Sequence, residues 1–355
     1  MAPVARKLVG AWLVVGCLMI FVQVILGGIT RLTESGLSIT QWKPINGIIP
    51  PRNETEWQAE FDLYKQKVQY KVINEGMTLE EFKGIYFWEY FHRLWGRSIG
   101  VVFLIPFIYF LIKKYLPFKL IVYLIIAFLM GGLQGVVGWI MVKAGLTGVF
   151  VPPLSLSIHL TLALILYAYN VWLALWVLRG PGNYFISGKK LKGFGLAILI
   201  LLFLQVFLGG LLSGTHAGLA YPTWPDMNGQ AIPAALFSEH ASWAGFLAYI
   251  PQDLWVRTMV QFLHRFTAYT LIILIGVFFY KSRHITTDRV FKTGLTLFPF
   301  FVLLQATIGI ITVLNCVGKL PVTWGVIHQC GAMLLIAETV FVIFHLYSKA
   351  DKQPA

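Results

Sequence analysis

The sequence predicts an all-α integral membrane protein whose eight transmembrane helices form two pseudo-symmetric four-helix bundles, related as a parallel tandem repeat. Hydrophobic residues make up 57% of the chain and charged residues only 12%, whereas soluble proteins average roughly 25% charged residues. The mean hydropathy is +0.73, and many apolar runs are long enough to cross a bilayer. The net charge of +13 does not indicate nucleic acid, because basic residues flanking apolar spans follow the cytoplasmic bias of Lys and Arg.

Eight apolar stretches define the predicted spans. They cover approximately residues 8–29, 86–112, 120–142, 154–178, 194–213, 256–280, 294–314 and 323–347. The first is a retained helix rather than a signal peptide, because it is long and lacks a small-residue cleavage site. Two long connections, 30–85 and 214–255, separate spans, and we expect short helices in the first of them. With three cysteines in the chain, neither a disulfide framework nor a thiolate cluster is available, so any redox chemistry requires a bound cofactor.

The distribution of basic residues predicts the orientation. The N-terminus, the connections 113–119, 179–192 and 281–292, and the C-terminal tail hold fifteen of the twenty-eight Lys and Arg residues. This side is cytoplasmic by the positive-inside rule. We therefore expect a multi-pass protein of the bacterial cytoplasmic (inner) membrane, with both termini in the cytoplasm and both long connections outside.

An internal repeat divides the chain. Residues 23–47 align without gaps with residues 205–229 and share Gln, Gly-Gly, Gly-Leu, Trp and Asn-Gly, and the run LQGVVGWIMV at Leu133 matches LQATIGIITV at Leu304. Each half has an even number of spans, so both halves enter and leave the membrane on the same side. The predicted units are residues 1–182 and 183–355.

Four histidines lie near the outer ends of spans, one pair in each half. His92 and His159 are 67 residues apart, and His264 and His328 are 64 apart. A ligating side chain inside a span is costly and is functional by default. Structural zinc prefers four ligands, whereas two imidazoles on facing helices of a four-helix bundle suit the axial positions of a haem. A hydrogen-bonded structural role is the alternative, but four histidines at one depth favour two bis-histidine haem sites.

Glutamine and glycine recur on the other span of each histidine pair. Each of four glutamines has a glycine four residues later on the same helix face, namely Gln23 and Gly27, Gln134 and Gly138, Gln205 and Gly209, and Gln305 and Gly309. Such a glycine forms a notch that admits a neighbouring backbone or a flat ring. Ordinary helix packing explains the glycines alone, while the recurring glutamines point to a ligand-binding wall.

Three arginines are candidates for holding haem propionates. Arg93 and Arg265 directly follow a histidine, and Arg97 lies one turn beyond Arg93. Guanidinium groups near the outer interface can pair with carboxylates in bidentate fashion. The alternative is that these side chains only extend to the membrane surface.

The two halves differ at one position beside the histidines. Glu89 precedes His92 by three residues, and the equivalent residue of the second half is Gln261. A carboxyl in a low-dielectric pocket can exchange protons, whereas an amide cannot. The first half is therefore expected to carry the chemistry and the second a fixed redox centre, unless Glu89 only forms a hydrogen bond with Arg93.

These motifs resemble those of the haem A synthase family. The resemblance rests on EYFHR at Glu89, GGITRLTESGLSITQW at Gly27, HRF at His264 and IHQ at His328, and it covers nearly all eight spans. Some branches of the family carry a cysteine pair in each long outer loop. Neither loop has a cysteine here, so the chain resembles the cysteine-lacking branch.

The resemblance implies an oxidoreductase that converts haem O to haem A for terminal oxidases, by stepwise oxidation of a porphyrin methyl to a formyl group. It implies substrate haem in the N-terminal half, with Glu89, His92 and His159 as catalytic residues, and a haem b cofactor on His264 and His328 in the C-terminal half. The implied partners are haem O, membrane lipid, haem O synthase, terminal oxidase assembly factors and an electron acceptor that the sequence does not identify.

Two other functions remain open from the residues alone. One is a di-haem membrane cytochrome b that only transfers electrons, and the other, less favoured, is a haem exporter. A carboxyl on one side only, Glu89 against Gln261, favours the synthase because a simple electron conduit does not need it.

Overall fold

A computed structural model describes residues 1–42, 46–179, 189–238, 253–285 and 288–347. The helices in these ranges are α1 (Pro3–Leu32), α2 (Glu54–Lys65), α3 (Val68–Ile73), α4 (Leu79–Ile112), α5 (Phe118–Gly145), α6 (Pro153–Arg179), α7 (Lys189–Gly214), α8 (Leu254–Ser282), α9 (Arg289–Leu314) and α10 (Val322–Tyr347). Eight of the described helices, all except α2 and α3, are long and apolar enough to cross a membrane. The predicted all-α membrane fold with eight spans is thus confirmed, as are short helices in the first long connection.

Several spans begin earlier than the hydrophobic pattern predicts, because polar caps extend them beyond their apolar part. The clearest case is α4, which begins at Leu79 rather than near Tyr86. The side chain of Thr78 accepts from the backbone of Glu81, and the Glu81 carboxylate accepts in return from the Thr78 backbone. This capping box satisfies backbone N–H groups that would otherwise lack partners at the helix start. Asp288 caps α9 in a simpler way.

In each half of the chain, four membrane-spanning helices pack together and form a group that we call a ring. In the first half α1 packs against α4 and α6, and α5 packs against α6. In the second half α7 and α9 both pack against α8 and α10. The halves meet where α6 contacts α7 and where α10 contacts α1 and α6. The pseudo-symmetric relation between the two rings stays a prediction, and the boundary at 182 and the tail at 348–355 lie outside the described residues.

Apolar side chains close the end of each ring opposite the histidines. In the first half the fully buried residues there include Val9, Leu13, Leu120, Leu124 and Leu173, and in the second half Ile198, Ile275, Phe278, Phe291 and Phe298. Burial of such side chains is the main favourable contribution to packing in the protein interior. Each ring therefore has a mainly apolar end, in which the second ring also buries His345 beside Phe291, and a second end, the histidine end, where more polar groups gather.

The first ring is closed less completely than the second. α4 and α5 contact each other much less extensively than α8 and α9 do. Four glycines on α4 and α5, namely Gly100, Gly131, Gly132 and Gly135, have nothing within 4 Å of the position a Cβ would occupy. By the repeat alignment, Gly100 corresponds to Ile272 and Gly131 to Val302, so larger side chains stand in the second ring where the first has glycine.

The first long connection has a small aromatic core of its own. Phe61 and Tyr64 from α2 pack against Phe82 and Tyr86 at the start of α4. The buried side chain of Gln69 accepts from the Tyr64 hydroxyl and donates to the carbonyl of a residue just after α1. The start of α4 is thus fixed both by its cap and by this cluster.

Close packing between the two halves can be tested at Gly210. A Cβ at this position would lie 2.8 Å from the Cα of Ser157 on α6, and backbone cannot yield as a flexible side chain can. We expect Gly210→Ala to lower the free energy of unfolding by about 1–3 kcal/mol, the usual cost of overpacking. The measurement is thermal unfolding in detergent micelles. Gly276→Ala is the matched control, since nothing lies within 4 Å there, and equal destabilisation by both changes would contradict the explanation.

Candidate functional site

Each of the four histidines lies over a glycine of the neighbouring helix. A Cβ built on Gly27, Gly138, Gly209 and Gly309 would lie 3.2, 3.2, 3.3 and 2.8 Å from Cε1 of His92, His159, His264 and His328, respectively. Any larger residue would push the imidazole away, because these distances are at or below the tightest ordinary contacts. The notches predicted from the glutamine and glycine pattern are therefore filled by the histidine rings themselves.

The glutamines stand beside the same rings in the second half. Nε2 of Gln205 is 3.1 Å from Nε2 of His264, and Nε2 of Gln305 is 3.1 Å from Nδ1 of His328. Gln305 also donates to the backbone carbonyl of His328 at 2.9 Å. A neutral ring nitrogen accepts in such contacts, so each glutamine orients an imidazole.

Several buried polar atoms at the histidine end lack partners among the described residues. They are Oε1 of Gln23, Gln134, Gln205 and Gln305, and Nδ1 of His159 and His264. Buried polar atoms are nearly always satisfied in a native protein, by protein groups, water or a ligand. An unsatisfied set at one end of both rings marks the region where a polar-edged ligand or ordered water belongs.

The spacing of the second histidine pair suits a metal held between two imidazoles. The ring centroids of His264 and His328 are 6.4 Å apart, with 69° between their planes. Two imidazoles bound on opposite sides of one metal through bonds of about 2 Å place their centroids about 6–6.5 Å apart. In the described parts of the chain, no three His, Cys, Asp or Glu side chains cluster so as to hold a metal by themselves. Two imidazoles at this separation could hold the iron of a haem.

The first histidine pair is arranged in the same way around its own ring of helices. The imidazoles of His92 and His159 lie over glycines of α1 and α5. Those of His264 and His328 lie in the same way over glycines of α7 and α9. Each half of the protein thus has two imidazoles at the polar end of its ring of helices.

Glu89 is buried, at 3% exposed, and polar groups contact its carboxylate. The carboxylate accepts from the Ser38 hydroxyl at 2.7 Å, from the Ile39 backbone N–H at 2.8 Å and from the Arg93 guanidinium at 2.5 Å. The turn after α1 folds back and brings the first two of these donors to the carboxylate, and a role for Glu89 in proton exchange stays a prediction. The hydrogen bond to Arg93, considered as the alternative role, is present.

The second half uses an amide to hold the equivalent turn. Gln261 donates to the carbonyl of Tyr221 at 2.8 Å, and Arg265 donates to the same carbonyl at 3.1 Å. In the repeat alignment Tyr221 corresponds to Ile39, whose carbonyl accepts from Arg93 at 3.1 Å. The two arginines therefore anchor matching turns, a role that the sequence did not reveal, and their contact with propionates stays a prediction.

A cavity of about 420 Å³ opens beside Arg93 and Arg97. Arg93 and Arg97 line it together with Tyr86, Tyr90 and Glu60. The predicted cluster of arginines is thus brought together in the first half, at the edge of a space large enough for part of a ligand. Arg265 stands in the other ring.

The two tryptophans at matching repeat positions both stay largely exposed. Trp42 is 49% exposed, contacts the Trp139 ring at 6.3 Å and lies 5.9 Å from the Arg93 guanidinium. Trp224 is 41% exposed and donates to the Tyr269 hydroxyl. Their matching places in the repeat predict that they cap the two pockets or anchor the protein at the membrane interface, where indole is favoured, and both roles stay predictions.

One contact between the halves was not foreseen. Nε2 of His216 lies 3.1 Å from the Glu34 carboxylate. The two residues occupy equivalent places in the repeat. The repeat alignment pairs a glutamate with a histidine at this position, and no other feature of the sequence indicated a contact between them.

Comparison with known proteins agrees with this geometry. Residues 10–340 match the model of the COX15-CtaA family, described as cytochrome oxidase assembly protein. The chain is 40% identical to a protein of Nitrosomonas eutropha named Heme A synthase, across 94% of this chain and 92% of that protein. Proteins of the same name from Nitrosospira multiformis (42% identity, 95% and 93% coverage) and from a Caulobacter species (44% identity, 93% of each chain) are similarly close. On this evidence the chain belongs to the COX15-CtaA family.

Proposed function

We propose that the protein is a haem A synthase, an oxidoreductase that oxidises a methyl group of haem O to the formyl group of haem A. The observation that carries the proposal is the pair of similar histidine sites of which only one has a carboxylate beside it. The relatives named Heme A synthase, matched over nearly their whole length, support the same reaction. They give no support to the alternative, a cytochrome b that only transfers electrons.

In the second half, His264 and His328 would supply the axial nitrogens of a resident haem b. Their centroid separation of 6.4 Å supports this assignment. When bound, haem b supplies one-electron redox chemistry. The protein's part is to fix both rings, Gln205 at His264 and Gln305 at His328, which sets how firmly each nitrogen is presented.

In the first half, His92 and His159 would hold the substrate haem O, and Arg93 and Arg97 would face its propionates. Oxidation of a methyl to a formyl group with oxygen from water releases four protons and four electrons. The site therefore needs a proton acceptor and a route for electrons. Glu89 is the carboxylate nearest in sequence to the ligands, and its three donors hold it in one orientation.

We place the histidine end at the outer face of a bacterial cytoplasmic membrane, with both termini in the cytoplasm. The excess of Lys and Arg in the short connections and at the termini supports this orientation. Haem O and membrane lipid are the proposed small partners. Haem O synthase and terminal oxidase assembly factors are the proposed protein partners, with a separate electron acceptor.

Replacing the histidines should separate the two sites. We expect His264→Ala or His328→Ala to abolish the stable haem b spectrum, because one axial nitrogen is lost. His92→Ala or His159→Ala should leave that spectrum intact and lower the amount of substrate haem retained. Absorption spectra of the purified variants, with analysis of extracted porphyrin, provide the measurement. Loss of one and the same haem in all four variants would exclude two sites.

Removing the carboxylate should block product formation without removing either haem. We expect Glu89→Gln to lower the rate of haem A formation roughly 100- to 10,000-fold, the usual contribution of an acid or base group. Extracted porphyrin should then be haem O or a partly oxidised intermediate. A normal yield of haem A would remove Glu89 from the mechanism.

Ser38→Ala is the matched control for Glu89→Gln. It removes one donor to the carboxylate, a bond to a charged group worth about 1.5–3 kcal/mol, and keeps the carboxylate itself. We expect it to lower the rate about tenfold, the effect of losing one charge-assisted hydrogen bond, and so much less than Glu89→Gln. If Ser38→Ala and Glu89→Gln lowered the rate equally, the effect of Glu89 would come from holding the turn and not from proton transfer.

The reverse substitution in the second half, Gln261→Glu, tests whether that half serves only as a redox centre. Gln261→Glu places a carboxylate next to the other turn, where it would face the carbonyl of Tyr221 and the guanidinium of Arg265. We expect haem A formation to continue and the reduction potential of haem b to fall, because an added negative charge favours the oxidised iron. Redox titration of the haem b spectrum measures the shift, and a loss of product formation would contradict the division of roles.

A further inference from the structure

The outer turns of the two halves are joined by a pair of residues that occupy the same place in the repeat. Glu34 follows α1 and His216 follows α7, and both have left-handed backbone conformations, with φ of 58° and 56°. Non-glycine residues adopt this conformation at a cost, and surrounding contacts have to maintain it. Here the two turns project their side chains toward each other, and Nε2 of His216 meets the Glu34 carboxylate at 3.1 Å.

Arg31 strengthens the same junction from the first half. Its guanidinium donates to the carbonyl of Ser213 at 2.6 Å and to that of Gly214 at 3.4 Å. These carbonyls belong to the last turn of α7, which has no further helical N–H groups to satisfy them. The same nitrogen lies 3.3 Å from Nε2 of His216, and the ring of Phe150 packs on the imidazole at 4.7 Å. The end of the first span thus caps the end of the fifth.

The junction is partly shielded from solvent. The side chain of His216 is 9% exposed and that of Glu34 is 32% exposed. The hydrogen bond from His216 lowers the pKa of Glu34, and the charges of His216 and Arg31 lower it further, while burial opposes them. Hydrogen bonds to a charged group in such surroundings are stronger than those between neutral groups.

A short path leads from this junction to the proposed substrate site. The carbonyl of Glu34 accepts from Gln69, and four and five residues later Ser38 and Ile39 donate to the carboxylate of Glu89. On the other side, Tyr221 is five residues beyond His216 and accepts from Gln261. One junction therefore holds both turns that anchor the residues beside the histidines.

We propose that Glu34 and His216 are positioning residues, by which the second half fixes the turn that orients Glu89 in the first half. The inference rests on the proposed function for its catalytic consequence. Neither residue touches substrate in this account. They act through the turn from Glu34 to Ile39, so the geometry of the chemical site depends on a side chain supplied by the cofactor half.

The test uses the full-length protein in detergent with its bound haem. His216→Asn and Glu34→Asn each shorten one partner, and asparagine tolerates the left-handed conformation. We expect either change to lower the rate of haem A formation roughly tenfold, the effect of losing one charge-assisted hydrogen bond. The haem b spectrum should stay unchanged, because His264 and His328 keep their own partners.

A structural readout keeps this test separate from the test of the proposed function. Amide hydrogen exchange of Ile39, whose N–H donates to Glu89, should become faster in His216→Asn even though that residue lies 177 positions away in the chain. Asn228→Gly is the matched control, because glycine keeps the left-handed backbone of this position. It removes a bond to the carbonyl of Ala220 within the second turn and should leave Ile39 unaffected. If no variant or wild type made haem A but Ile39 still responded, the proposed function would fail and the junction would stand.

Exchanging the two side chains provides the rescue. Because both positions have the same backbone conformation and the same place in the repeat, Glu34→His combined with His216→Glu keeps the pair with reversed direction. We expect the exchange to recover at least half of the rate lost in the single variants. Unchanged Ile39 exchange in His216→Asn, or no recovery in the double variant, would overturn the proposal.

The pH dependence gives a second check on the pair. Since the pKa of Glu34 is lowered in the folded protein, its contribution to stability is present above its ordinary value of about 4.5 and disappears as the pH falls through the lowered value. Glu34→Asn should therefore lower the midpoint of thermal unfolding at pH 7, and the difference from wild type should shrink below about pH 4.5. A difference that stayed constant down to pH 3 would show that the carboxylate charge has no part in the junction. The charged groups facing the pair among the described residues are Arg31, Glu34 and His216 themselves.

Discussion

An imidazole inside a membrane span must be enclosed by its own helix bundle, and here glycine makes that enclosure possible. Each histidine ring sits where a Cβ on the facing helix would come within about 3 Å of it, so the helix backbone itself forms the wall. The bilayer core contains no water that could form hydrogen bonds with the imidazole. The glutamines beside the second pair meet the same requirement, since they supply polar contacts to its imidazoles.

The two halves hold equivalent turns with different chemistry. Ile39 and Tyr221 occupy the same position in the repeat, and an arginine donates to the carbonyl of each. Next to the arginine, one half has a carboxylate that accepts from the backbone N–H, and the other has an amide that donates to the backbone carbonyl. Changing Glu to Gln thus reverses the direction of one hydrogen bond and preserves the fold of the turn. In this way a repeat can acquire an ionisable group in one copy alone.

Much of the fold was predictable because it is encoded locally. Eight apolar runs, four histidines and a glycine four residues after each glutamine can all be read from short segments, and the structure places the rings over those glycines. The surroundings of Glu89 were not predictable, since Ser38 and Ile39 lie about fifty residues before it in the chain and reach it only through a turn. The pairing of Glu34 with His216 depends on how two whole halves dock, which no local pattern records. Sequence spacing predicted that the four histidines lie at one end of the helices, but it did not predict the contacts that hold the residues beside them.

The incomplete contact between α4 and α5 bears on what borders each ring. Where helices do not seal a ring, lipid chains complete the wall, and the four open glycines make this side of the first ring thin. In the second ring, Ile272 and Val302 take the place of two of those glycines, and both pack in the apolar cluster of that ring. The wall between α4 and α5 therefore contains less protein than the wall between α8 and α9. Lipid chains would border the first ring more closely there than they border the second.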